Sequence, residues 1–100
     1  MSTIRAINTR YKGYFFRSRL EARWAVFFDK MGIKYRYEPE GYNLGKYGCY
    51  LPDFYLPDLG YFVEVKGSPD VTTAYEDRLA AFTCRTGNKL LLVPCDPYGL

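Results

Sequence analysis

Two strand-forming runs, residues 50–56 and 61–67, are separated only by Pro57, Asp58, Leu59 and Gly60. Pro presets the first corner of a turn and Gly the left-handed corner, so the segment predicts a β-hairpin. A four-residue connection sets Leu56 opposite Tyr61 and, three steps further, Asp53 opposite Glu64. A two-residue loop gives the same pairing, whereas a three-residue loop shifts it by one and sends the two acids to opposite faces. In the favoured register the two Cβ atoms lie about 4.5–5.5 Å apart, and Lys66 projects from the same face as Glu64. Any fold of this chain has to accommodate two acids and a lysine on one patch of sheet.

The flanking patterns say what surrounds that hairpin. Over residues 18–31, Leu20, Trp24, Phe27, Phe28 and Met31 recur at helical spacing, with Ser18 placed to cap the start and Gly32 to end it. Residues 33–38 alternate Ile33, Tyr35 and Tyr37 with Lys34, Arg36 and Glu38, the pattern of an edge strand, and Pro39 stops it. Residues 41–48, rich in Gly and Tyr, read as a loop. Residues 73–86 carry Tyr75, Leu79, Phe82 and Thr86 on one side, with Thr73 and Glu76 as a capping box and Gly87 as terminator, which predicts a second helix. Residues 89–93, nearly all aliphatic, predict a buried strand. The order is helix, three strands, helix, strand. Because strand, helix, strand crossovers are right-handed, the last strand joins the sheet parallel to its neighbour. The expected fold is a mixed α/β class: a four-stranded mixed sheet flanked by helices. One hundred residues, 48% of them hydrophobic, suffice for one such domain spanning 1–100 and leave nothing for a second.

Composition excludes much chemistry. There is no His, hence no Ser-His-Asp or Cys-His machinery and no H-E-x-x-H zinc site. Cys49, Cys84 and Cys95 are odd in number and form no C-x-x-C, which argues against a disulfide framework and for a reducing compartment. Uninterrupted apolar runs reach only four or five residues, against the ~20 of a membrane-spanning helix, so a cytoplasmic location away from membranes is expected. Charge is uneven. Residues 1–36 carry nine Lys or Arg against two acids, a balance of +7, and the remainder carries −4. A basic first third suggests an anionic partner such as a phosphate backbone, contacted by Arg10, Lys12, Arg17, Arg19 and Arg23; plain solubility explains the same charge. Tyr11, Tyr14, Phe15 and Phe16 lie beside those cations and could stack on bases or simply build the core.

Two ionised carboxylates about 5 Å apart repel by ~3 kcal/mol at an effective dielectric of ~20. A hard divalent ion, Mg²⁺ or Mn²⁺, offsets that repulsion, since such ions are held by one or two carboxylates with waters and phosphate oxygens. Lys66 then orients an attacking water or stabilises charge developing on a phosphoryl group. Alternatively Lys66 neutralises the pair as a solvated salt-bridge cluster, or one carboxyl keeps its proton.

Pro52-Asp53, followed by Val63-Glu64-Val65-Lys66-Gly67, resembles the core motif of the PD-(D/E)XK nuclease superfamily, the restriction-endonuclease-like fold. Glu21, in Ser18-Arg19-Leu20-Glu21, matches the additional upstream acid that many members carry, and the order αβββαβ agrees with the family core. Tyr37-Glu38-Pro39-Glu40 and Tyr50-Leu51-Pro52-Asp53-Phe54 add to the likeness, which is closest to small single-domain endonucleases of phage and mobile elements. The resemblance implies a Mg²⁺- or Mn²⁺-dependent endonuclease acting on DNA ahead of RNA, or a lapsed nuclease module that binds nucleic acid or regulates a partner. It implies that Asp53 and Glu64 ligate the metal, with the Val65 carbonyl a further ligand, that Lys66 positions or activates water, and that Glu21 binds metal directly or through water. Glu21, three residues after Ser18, could instead complete a capping box. Family members often present a Lys or Gln from the second helix; this helix offers Arg78 and Arg85. So small a chain leaves specificity to a homodimer, a partner protein or the shape of the nucleic acid.

Overall fold

The computed structural model describes residues 9–66, 73–94, 96 and 97; Gly67, Cys95 and Arg5 lie outside them. Its main sheet holds four strands in the order β3 (Arg36–Tyr37), β6 (Phe54–Leu56), β7 (Tyr61–Val65), β8 (Lys89–Val93). The central hairpin has the expected register: Phe54 faces Val63, Tyr55 faces Phe62 and Leu56 faces Tyr61. Its turn closes through the Leu59 and Gly60 amides, which both donate to the Leu56 carbonyl, with Gly60 at φ +72°. Strand β8 runs parallel to β7, as the intervening helix demands.

Side-chain alternation divides the sheet into two apolar faces. Phe54, Leu56, Val63 and Val93 pack with Phe16 and with Ala22, Ala25 and Phe28 of helix α1 (Arg19–Lys30). Tyr55, Phe62 and Leu90 point the other way, onto Ala81 and Phe82 of helix α2 (Thr73–Thr86), joined by Leu44 and Tyr50. Each helix therefore covers one face. Ser18 caps α1, its Oγ accepting from the Glu21 amide at 3.1 Å. Met31, expected in the apolar stripe, is the C-cap and 61% exposed; the stripe is centred on Ala22, Ala25 and Phe28 instead. Thr73, expected as the cap, lies inside α2 as described.

Several expectations are corrected. Residues 50–56 are not one strand: β5 (Cys49–Tyr50) pairs with β4 (Tyr42–Asn43) in a separate two-stranded sheet, and β6 begins only at Phe54. Pro52 has no amide to give a ladder, and the Asp53 carbonyl is taken by the Glu38 amide at 2.8 Å. The presumed loop at 41–48 thus holds β4 and a 3-10 turn, Gly45–Tyr47. The edge strand shrinks to Arg36–Tyr37 because Glu38 turns left-handed, at φ +45°. A second hairpin, β1 (Thr9–Tyr11) with β2 (Tyr14–Phe16), precedes α1 and buries Phe16 completely, so Phe16 builds core and is no stacking platform. Strand β8 is not buried: it ends the sheet order, and Leu91 and Leu92 are 49% and 43% exposed. No described helix is long and apolar enough to cross a membrane. The described cysteines, Cys49 and Cys84, are free and exposed.

Candidate active site

The acids gather where β6 and β7 diverge. Continuing the ladder one step past Phe54 and Val63 sets Asp53 across from Glu64, and the Asp53 carboxylate bends to accept the Val65 amide at 2.7 Å. Glu64 projects toward the α2 side. Its Oε1 accepts from the Tyr50 hydroxyl at 2.7 Å and its Oε2 from the Tyr75 hydroxyl at 3.0 Å, so a residue of the small sheet and one of α2 orient it together. Lys66 follows on the same face, with Nζ 5.6 Å from the Tyr75 ring centre and its amide donating to the Val93 carbonyl at 2.9 Å. The lysine is therefore held from both ends.

Burial, followed by the charges of Glu64 and Glu21, pushes the Asp53 carboxyl up to about 8, against the downward pull of the Val65 amide. Burial also raises Glu64, while the hydroxyls of Tyr50 and Tyr75 and the Asp53 backbone amide favour its ionised form. The same carboxylate, with burial leading, keeps both tyrosines protonated far above neutral pH, so they act as fixed donors. Burial and neighbouring acidic charge thus raise both carboxyls together.

Glu21 reaches the region from α1. Its carboxylate accepts the Tyr37 hydroxyl, which in turn accepts the Arg17 amide at 3.0 Å. Only half of the capping box forms, because the carboxylate turns to Tyr37 rather than back to the Ser18 amide. Burial raises the Glu21 carboxyl as well, and its charge is felt at both Asp53 and Glu64. Among the described residues, however, no three His, Cys, Asp or Glu side chains converge closely enough to hold one ion.

The pair formed by Asp53 and Glu64 suits a hard cation on its own terms. Each ionised carboxylate has about four acceptor positions; the hydrogen bonds named leave some of them open, and the charge they share is costly without a counter-ion. Two carboxylates completed by water and phosphate are an ordinary Mg²⁺ donor set.

The expected phosphate contacts divide. Lys12 pairs with Asp29 at 3.6 Å, Arg17 with Glu38 at 2.8 Å, and Arg23 with Asp96. Glu38 is thus an ion-pair partner of Arg17. Arg10 rests over the Phe15 ring at 5.7 Å, and Arg19 is exposed with no described partner. Arg78 donates to the Tyr47 carbonyl at 3.1 Å and Arg85 lies over the Tyr47 ring, so α2 directs both guanidinium groups at the 3-10 turn. Tyr37, Tyr50 and Tyr75 were not foreseen as site residues. Tyr50, three positions before Asp53, is the one a reader of the chain could have suspected. No protein-family model, curated protein or solved structure matches the chain.

Proposed function

We propose that the protein is a metal-dependent endonuclease that hydrolyses DNA phosphodiester bonds. The observation carrying this reading is the pairing of two half-buried carboxylates, Asp53 and Glu64, at one end of a hairpin with Lys66 on the face of Glu64. Asp53 and Glu64 would hold Mg²⁺ or Mn²⁺, with the Val65 carbonyl as a further ligand and Glu21 contributing through water. When bound, the ion supplies Lewis-acid polarisation of a phosphoryl oxygen and lowers the pKa of water. Tyr50 and Tyr75 keep the Glu64 carboxylate in one orientation. Lys66 places its ammonium beside the scissile phosphate, where it orients the attacking water and stabilises the negative charge that builds on phosphorus oxygens. The restriction-endonuclease-like core is part of the same proposal, supported by the sheet order and by a helix on each face.

Purified protein incubated with plasmid and single-stranded DNA in Mn²⁺ is expected to cut, and Lys66→Ala to cut about a hundredfold more slowly or worse. Equal rates would remove Lys66 and this site from the chemistry. A second reading, a nuclease-derived module that binds nucleic acid without cutting it, draws on the turning of Glu21 to Tyr37. Calorimetry separates them: Mn²⁺ binding that disappears in Asp53→Asn supports the enzyme, and nucleic-acid binding without Mn²⁺ binding supports the module.

A further inference from the structure

We propose that a cleft beside the β3 edge takes an unpaired nucleotide, its base against Tyr14 and Tyr35 and its phosphates on Lys34 and Arg36. The inference rests on the nuclease reading for the identity of the ligand as nucleic acid; the cleft itself lies apart from the acid pair. It has a volume of about 570 Å³ and is lined by Tyr14, Ile33, Lys34, Tyr35, Arg36 and Pro57, among others. That size falls within the ~300–1,000 Å³ typical of small-ligand clefts.

The aromatic wall is built to stay in place. Tyr14 sits 5.7 Å from both the Tyr35 ring and the fully buried Phe16, and 6.4 Å from Tyr37, yet keeps 38% of its surface exposed. A tyrosine propped from behind and open in front is a platform for a base, whose π-face is available only when the base is unpaired.

The cations complete it. Lys12, Arg17 and Arg23 are answered by acids, whereas Lys34 and Arg36 are exposed and have no partner among the described residues. Arg36 opens β3, Lys34 stands two residues ahead of it, and both line the cleft. Asp29 also lines the cleft, but its carboxylate is engaged by the Tyr11 hydroxyl at 2.7 Å and by Lys12. The balance facing a ligand is therefore positive. Pro57 lies about 13 Å from Asp53 along β6, at ~3.3 Å per residue, so one strand of nucleic acid can fill the cleft and pass the acids.

The test is fluorescence anisotropy with a labelled oligothymidylate in EDTA, where no cutting occurs. Tyr14→Ala is expected to weaken binding at least fivefold, the loss of one stacked base, while Tyr14→Phe keeps affinity. Lys34→Ala combined with Arg36→Ala removes two exposed charges without touching the core. It should weaken binding and make it less salt-dependent. A matched duplex should bind more weakly than the single strand. Unchanged affinity in the double charge variant, or tighter binding of duplex, overturns the cleft. Cleft-dependent binding in a protein that never cuts DNA would leave this inference standing and refute the nuclease.

Discussion

Burial and the charges of Glu64 and Glu21 hold the Asp53 carboxyl at about 8, against 3.8 for an ordinary Asp. A carboxyl raised by folding binds its proton more tightly in the native state. Its stabilising effect is complete below about pH 4 and is lost progressively as pH climbs toward 8; Glu64, also raised, acts in the same sense. In EDTA the melting temperature should therefore fall between pH 5 and pH 8, and fall less in Asp53→Asn, whose amide oxygen still accepts the Val65 amide. Mn²⁺ at pH 8 should recover the loss in the parent and not in the variant. Parallel pH profiles for the two proteins would contradict this account. The acids and Lys66 were readable from the chain because hairpin register is arithmetic once the turn is known. The hydroxyls of Tyr37, Tyr50 and Tyr75 were not, because each is the polar tip of a ring that reads as core. Only packing of separate elements brings them to the carboxylates.

At the scale of elements, α1 illustrates how far periodicity carries. Its limits and its Ser18 cap agree with the pattern of the chain, while the buried stripe passes through the small residues Ala22 and Ala25, which weigh little in a hydrophobic count. Ser18→Ala should cost about 1 kcal/mol, read as a lower urea midpoint with unchanged slope, since the Glu21 amide loses its acceptor. A midpoint equal to that of the parent would mean that Tyr37, through Glu21, holds the first turn without help. Strand β8 shows the opposite limit. Three consecutive leucines look the same whether a sheet continues beyond them or stops, and the sheet order stops there among the described residues. The β4 and β5 pairing escaped notice because two-residue strands carry too few positions for a period of two to register.

Across the whole molecule, one thin sheet separates two apolar clusters, and Phe54 and Phe82 are fully buried rings on opposite sides of it. Phe54 touches the aromatic rings of Phe16, Phe28, Tyr35 and Tyr37, and Phe82 those of Tyr42, Tyr50 and Phe62. Truncation of either to Ala should cost about 3–5 kcal/mol, a large share of the ~5–15 kcal/mol of a native domain. Because β6 and β7 contribute to both clusters, each variant should still unfold in a single transition by circular dichroism and fluorescence alike. Separate transitions by the two probes would show that the faces melt independently. The bond from the Lys66 amide to the Val93 carbonyl ties the lysine to the far strand of this sheet. A chain cut short ahead of Val93 would keep both acids and the Tyr75 ring yet leave the Lys66 amide with no carbonyl to receive it. On the proposed chemistry, the final strand would therefore serve as the backstop of the lysine as well as the rim of the sheet.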